Sequence, residues 1–304
     1  MFNAENRQVL ENILSHRAGV KDGLKIGLVI QGGGMRGAFG AGVALELTRL
    51  GLNESFDVIH TSSSGCNTAA YMITGQTAEG TSIYEEDLSW FRFIKPWKLS
   101  KTMNLDYLID VLTAKRKPLD LEKVRKSKTL LKMYVTDFVS GHSEYFTNHQ
   151  GVDFLAAMKA SCAYPNNFPP VLVDGKLYLD GNIATVLPVE QAIQDRCTDI
   201  LVITTVPEEH HEHPQSKSHT AFQTLMSRKF SIDFKDVRKH RVELYNYSLD
   251  LAFGREVPDD KVRIYTIAPD YMIANASIRG KTIQKYVKHG EKKAKEIFES
   301  VLAE

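Results

Sequence analysis

Three short segments of the 304-residue sequence hold residue types that could do chemistry: Gln31-Gly32-Gly33-Gly34-Met35-Arg36-Gly37, Thr61-Ser62-Ser63-Ser64-Gly65-Cys66 and Leu179-Asp180-Gly181-Asn182. In the first, glycines free the backbone to adopt positive φ and to present successive N–H groups at the start of a helix, an arrangement that attracts negative charge. Two chemistries and one purely structural role fit it. Gly32-x-Gly34-x-x-Gly37 has the spacing of a dinucleotide fingerprint, which also needs an acidic residue ending the next strand to hold the ribose. That strand ends in serines and a glycine, and Asp57 lies at its other end. No Gly-Lys-Ser/Thr follows, so a P-loop fails. The second chemistry is stabilisation of an oxyanion during acyl transfer, which requires a nucleophile nearby. The structural role is a tight turn with close helix packing.

A strand, a sharp turn bearing serine, and a helix of small residues form the context in which Gly-x-Ser-x-Gly marks a nucleophile elbow. Residues 56–72 supply that context: Ser63 takes the nucleophile position with Gly65 two residues on, whereas frames on Ser62 or Ser64 put Ser64 or Cys66 at the glycine position. A serine-rich helix cap would use the same residues without chemistry. Asp180 is the candidate base, because a desolvated carboxylate hydrogen-bonded to a hydroxyl can take its proton. A turn aspartate before glycine is the plain alternative.

These segments need elements to position them. Short β-rich runs at 25–30 and 56–61 are each followed by helical patterning, from about Ala38 and Cys66, and a helical stretch at 188–197 precedes a strand at 198–205. Such alternation predicts a parallel sheet covered by helices on both faces. Hairpins turning at Ser140-Gly141 and Asp174-Gly175 make the sheet mixed. A last strand at 261–269 and a helix from about Gly280 follow. Residues 1–23 read as a helical extension and 24–304 as a single domain with a C-terminal helical elaboration, because no repeat, low-complexity tract or Gly/Ser- or Pro-rich linker divides them.

Composition narrows the function classes. With 43% hydrophobic and 25% charged residues the chain is ordinary globular protein, neither disordered nor fibrous. Lys and Arg total 38 against 37 Asp and Glu, so no overall field favours nucleic acid. Cys66, Cys162 and Cys197 form neither a disulfide framework nor a metal set, which suits a reducing cytosol. No stretch approaches the roughly 20 apolar residues of a spanning helix, and the charge-broken N-terminus is no signal peptide. The expected location is cytoplasmic, with any membrane work done from the surface. Trp90 and Trp97, interleaved with Arg92, Lys95 and Lys98, suit a lipid–water interface, or else an aromatic helix face packed on the core. Residues 115–128 hold seven basic and two acidic side chains, either a solvated surface or a tether to acidic lipid. His210, His211, Glu212 and His213, with His219 nearby, match neither H-E-x-x-H nor a closed zinc site, and the polar residues 206–220 read as an exposed loop. A histidine base is not expected: His60 sits on the strand before the elbow, and His142 and His149 flank a hairpin.

In this order, the glycine turn, serine elbow and Asp-Gly turn resemble the patatin-like phospholipase family. The resemblance runs from about Gly27 to Val189 and includes Ala160-Ser161-x-Ala163-x-Pro165 and Phe168-Pro169-Pro170. It implies a three-layer α/β/α sandwich with a mostly parallel sheet. Gly32, Gly33, Gly34 and Gly37 would build the oxyanion hole with Arg36 at the family's basic position, Ser63 would be the nucleophile and Asp180 its catalytic partner. It implies no metal and no other cofactor. The expected activity is hydrolysis of lipid carboxylic esters, of the phospholipase A or lysophospholipase type, through an acyl-enzyme. Two residues depart from the family pattern: Thr61 stands where the elbow glycine is usual, and Asn182 follows Asp180-Gly181 where Gly or Ala is usual. Asn takes unusual turn conformations readily. A β-branched Thr61 at a strained turn could clash with the helix or narrow the acyl pocket. The rival readings are a weak or inactive lipid-binding protein of the same fold and a soluble esterase or thioesterase.

Overall fold

The computed structural model describes residues 4–19, 23–88, 91, 93–95, 102–165, 168–212, 232–257 and 262–303, with backbone alone for 4–6 and 232–239. Helix α1 (Ala4–Arg17) leads into strand β1 (Ile26–Ile30), helix α2 (Gly37–Arg49), strand β2 (Val58–Ser62) and helices α3 (Ser64–Ile73) and α4 (Thr77–Ser82). Two π-helical stretches follow, Ile83–Asp87 and Tyr107–Arg116. Next come α5 (Leu121–Lys126), β3 (Leu130–Asp137), β4 (Ser143–Thr147), α6 (Phe154–Ser161), β5 (Val171–Val173) and β6 (Lys176–Asp180). The described chain ends with α7 (Val189–Gln194), β7 (Asp199–Ile203), α8 (Ile232–Ala252), β8 (Arg263–Ile267) and α9 (Gly280–Leu302).

Strand order is β5-β6-β3-β2-β1-β7-β8, with β4 also paired to β3. The β2, β1, β7 and β8 ladders are parallel, as is β2 with β3, while β4, β5 and β6 pair antiparallel. A strand covered on both faces must be apolar at every position, and β1 is. Its residues Ile26, Leu28 and Ile30 pack into one core cluster with α1, α2, α3 and α9, whereas Val29 joins a second cluster with α7 and α8. The three-layer sandwich with a mixed sheet follows directly. The tight hairpin falls where expected: Asp174 and Gly175 both take positive φ, 46° and 80°, as a two-residue turn requires.

The N-terminal residues fold onto this sheet. Val9, Leu10 and Ile13 of α1 are fully buried, and Asn12 Nδ2 donates to Asp199 Oδ1 at 2.9 Å on β7. At the opposite end of the sequence, α9 crosses α2 at backbone contact. A methyl group on Gly42 would stand 2.0 Å from Val287 O, and one on Gly290 would stand 2.2 Å from Phe39 O. Side chains are excluded from that crossing. No helix among the described residues is long and apolar enough to cross a membrane.

Candidate active site

Strand β2 ends at Ser62 and helix α3 begins at Ser64, so a single residue makes the reversal. Ser63 does so at φ 55° and ψ −135°, a conformation that strains a residue with a side chain by about 1–3 kcal/mol. Surrounding hydrogen bonds hold it there. The Ser63 N–H donates to Ser161 Oγ at 3.0 Å, Ser161 Oγ donates to Tyr134 O at 2.6 Å, and the Cys66 N–H donates to Ser63 O at 2.9 Å. Ser161 belongs to the α6 segment noted above. Its work at the elbow depends on a contact across 98 residues that spacing does not display.

Ser63 Oγ donates to Asp180 Oδ2 at 2.9 Å. The other carboxylate oxygen accepts from the Asn182 N–H at 2.8 Å, and Asp180 N–H and O are fixed by Ala163 O and Thr136 Oγ1. Asp180 is 2% exposed, and burial pushes its carboxyl up to about 7, against the opposing pull of the Asn182 and Ser63 hydrogen bonds and the Arg241 charge. A serine hydroxyl donating to a base poised near neutrality is equipped to surrender its proton.

The glycine turn lies across the elbow. A Cβ on Gly32 would fall 2.6 Å from Ser62 O and 2.7 Å from Ser63 Cβ, so only glycine lets the two turns approach this closely. The Gly33 N–H donates to Ser64 Oγ at 3.1 Å. Gly34, at φ 59°, lines the same cavity as Ser63. Gly37 has a different part, for its N–H is taken by the carbonyls of Gly34 and Met35 and a Cβ there would meet Ser64 Oγ and Tyr84 Oη at 2.7 Å. Its contribution is close packing. Arg36 turns toward Met272, whose sulfur accepts from Nη1 at 2.9 Å, and its buried Nε has no hydrogen-bond partner among the described residues. Burial lowers its pKa below the ordinary guanidinium value, with Tyr245, Tyr286 and Glu212 opposing that shift.

Both departures from the family pattern are accommodated. Thr61 is fully buried in β2, its hydroxyl donates to Ile30 O at 2.8 Å, and it does not line the cavity beside Ser63. The expected clash is absorbed by Gly65, where a Cβ would lie 2.3 Å from Thr61 Oγ1. Asn182 has no unusual backbone; it serves through its side chain, whose Oδ1 accepts from Ser62 Oγ at 2.7 Å. Gly181 lets this turn press on β3, since a Cβ would lie 2.3 Å from Tyr134 O. Sequence reading missed Arg241. Its Nε donates to Asn182 O at 3.2 Å and its Nη1 to Glu212 Oε2 at 2.6 Å, tying α8 to the Asp180 turn. The loop read as wholly solvated is therefore pinned at Glu212, and Val206 at its start is fully buried.

The cavity beside Ser63 is narrow and apolar, walled by Tyr84, Leu88, Phe93, Met103, Leu105 and Leu108. The π-helical stretches contribute Ile83, Tyr84 and Leu108 to its wall. Trp90 and Trp97 lie outside the described residues, as do His213 and His219; their neighbours Phe93 and Ile94 are buried, while Phe91 is half-exposed. His60 lies away from the site: Nδ1 meets Tyr134 Oη at 3.0 Å, Nε2 lies 3.3 Å from Asp195, and burial lowers its pKa to about 3. His149 Nε2 bonds Ser127 O, and no His/Cys/Asp/Glu grouping able to hold a metal occurs among the described residues.

A strained serine elbow, a buried aspartate on its hydroxyl and a glycine turn thus meet at one point of a mixed α/β/α sandwich. The chain matches the Patatin-like phospholipase family over residues 28–193, more than half its length, and belongs to that family. It is 28% identical over 207 residues to the "Uncharacterized protein YjjU" of Escherichia coli (strain K12), a match covering 63% of this chain and 55% of that protein. Among solved structures it is similar to VipD from Legionella pneumophila, with TM-score 0.55 and 13% identity over 91% of this chain and 67% of that one, a likeness of fold.

Proposed function

We propose that the protein is a serine acyl hydrolase of lipid esters, of the phospholipase A or lysophospholipase type. The observation that carries this reading is the 2.9 Å hydrogen bond from Ser63 Oγ to a buried Asp180 at a strained elbow, beside an apolar cavity. In the reaction Ser63 Oγ attacks the ester carbonyl carbon and its proton passes to Asp180 Oδ2. The carbonyl oxygen, now negative, lies at the Gly32–Gly34 turn; the Gly33 N–H already donates to Ser64 Oγ, so the developing charge falls to the neighbouring glycine N–H groups. Collapse expels the alcohol, which takes the proton from Asp180. Water, deprotonated by Asp180, then attacks the acyl carbon, the bond to Ser63 Oγ breaks to release the carboxylic acid, and Asp180 returns the proton to Ser63 Oγ.

A fluorophosphonate probe tests the assignment. We expect one adduct, mapped by peptide analysis to Ser63 and absent from Ser63→Ala; labelling of Ser62 or Ser64 instead, or none on folded protein, would overturn it. A panel of phospholipid, lysophospholipid and short soluble esters then separates the lipid enzyme from a soluble esterase or thioesterase. Thr61→Gly tests the weakened-enzyme rival. Because Thr61 closes a buried hydrogen bond and stays out of the cavity, its loss should cost roughly 2 kcal/mol of stability and leave kcat no higher than in the parent. A clear rise in kcat at unchanged KM would mean that Thr61 impairs the elbow.

A further inference from the structure

In the most basic run of the sequence, four of the seven cations are drawn into ion pairs. Arg116 and Lys117 meet Asp87 at 2.9 and 2.8 Å, Lys123 lies 3.8 Å from Asp120, and Lys126 pairs with Glu122. Positive charge of a different kind gathers at the start of α9. Residues 279–290 include Arg279, Lys281, Lys285 and Lys288 and no acidic residue. Spacings of four and three place the three lysines on one helical face. That face is exposed, while Ile283, Tyr286 and Val287 turn inward. Among the described residues the ion pairs of the α9 lysines begin further along, at Lys292–Glu296, Lys293–Asp270 and Lys295–Glu299. Burial raises the Glu85 carboxyl and the nearby Lys288 charge opposes that shift, while Glu291 is drawn to Arg49.

The eight residues before this face, 271–278, carry no charge at all and leave Tyr271, Met272, Ala274 and Ala276 exposed. They also touch the site. Asn275 O accepts from the Met35 N–H at 2.9 Å, a Cβ on Gly34 would fall 2.8 Å from that same oxygen, and Met272 caps Arg36. An uncharged, exposed loop beside the glycine turn therefore runs straight into a cationic helix face. At a lipid–water boundary, apolar side chains enter the headgroup layer while neighbouring cations meet anionic phosphates.

We propose that the 271–278 loop and the Arg279, Lys281, Lys285 and Lys288 face together dock the protein on anionic phospholipid bilayers, an inference that rests on the lipid-hydrolase reading of the adjoining site. Docking there sets the glycine turn against the lipid surface. Lysines near an anionic surface act additively and are screened by salt, so binding falls as ionic strength rises.

The test is co-sedimentation with vesicles of phosphatidylglycerol and phosphatidylcholine against vesicles of phosphatidylcholine alone, in a Ser63→Ala background so that the lipid stays intact. Binding should require phosphatidylglycerol and weaken with added salt. The triple variant K281Q/K285Q/K288Q should bind roughly a hundredfold more weakly, at about fivefold per lysine. With Ser63 restored, the same triple variant should hydrolyse a short soluble ester at the parent's rate, since these side chains are exposed and belong to the outer face of α9. All three native cysteines are buried, so Ala274→Cys can carry an environment-sensitive dye whose emission should shift to the blue on anionic vesicles. Equal binding to both vesicle types, parental binding by the triple variant, or an unmoved dye would overturn the proposal. Charge-dependent docking by a protein with no esterase activity would instead refute the hydrolase reading and leave the surface standing.

Discussion

Asp180→Asn is expected to reduce ester turnover roughly a thousandfold or more, the upper range for loss of a general base, while raising the melting temperature above pH 7. Both effects have one cause. A carboxyl pushed from 3.8 to about 7 by burial is one that the fold prefers protonated. Its folded pKa lies above its unfolded one, so its contribution to stability is complete below about pH 4 and is lost as pH rises through about 7. Asparagine keeps the shape and accepts from the Asn182 N–H without ever ionising. The difference in melting temperature between variant and parent should therefore grow from pH 4 to 7 and level off above. Activity runs the other way, because the base is useful only when ionised: kcat/KM of the parent should climb with pH through an apparent pKa near 7. Melts from pH 4 to 9 alongside a pH–rate profile check both. A melting difference that shrinks with rising pH would remove the buried base from the account.

Gly65→Ala should cut kcat by about a hundredfold and lower the melting temperature, although position 65 contacts no substrate atom. The new methyl would stand 2.3 Å from Thr61 Oγ1 and 2.8 Å from Ile30 O. Neither neighbour can retreat cheaply: the hydroxyl already donates to that same carbonyl, and the carbonyl belongs to the central strand β1. The first turn of α3 must move instead and carry Ser63 with it. A displacement of about 1 Å at a reacting atom costs on the order of a hundredfold in rate, and overpacking typically costs about 1–3 kcal/mol. Thr61→Ala in the same chain removes one of the two obstacles and should restore part of both losses. Parental kcat in the single variant would mean that the elbow is looser than these distances imply.

How much of this was legible beforehand depended on the distance along the chain over which each feature is encoded. The glycine turn, Ser63 with Gly65, and Asp180 with Gly181 are local patterns of strand, turn and helix, and they fell in the expected places. Alternation of strand and helix likewise carried the layer order, because β1 is apolar at every position and β7 at all but its first, Asp199, as central strands are. What escaped notice was long-range or conditional. Ser161, Arg241 and Glu212 act through contacts between segments far apart in sequence, and a serine on a helix or an arginine in a charged helix has no distinguishing neighbours. The role of Thr61 depended on whether Gly65 makes room, which is a question of ångströms. The π-helical walls of the cavity have no compositional mark. Charge density was a poor guide: more than half of the richest basic run is drawn into ion pairs, whereas the sparser lysines of α9 share a face.

The crossing of α9 over α2 has a bearing on biosynthesis. Until β7 is made, β1 is an open edge, and until α9 is made, the Gly42 face of α2 is bare. The glycine turn is completed by the same late partners, since Thr205 Oγ1 donates to Gly32 O across 173 residues of chain and Asn275 O receives the Met35 N–H. At ribosomal speeds of about 5–20 residues per second, a stretch of about a hundred residues, such as that from β7 through α9, takes roughly 5–20 s to appear. Through that interval the nascent chain carries Ser63 but not the framework that would aim it, so whatever chemistry that serine performs must wait until α9 has been made.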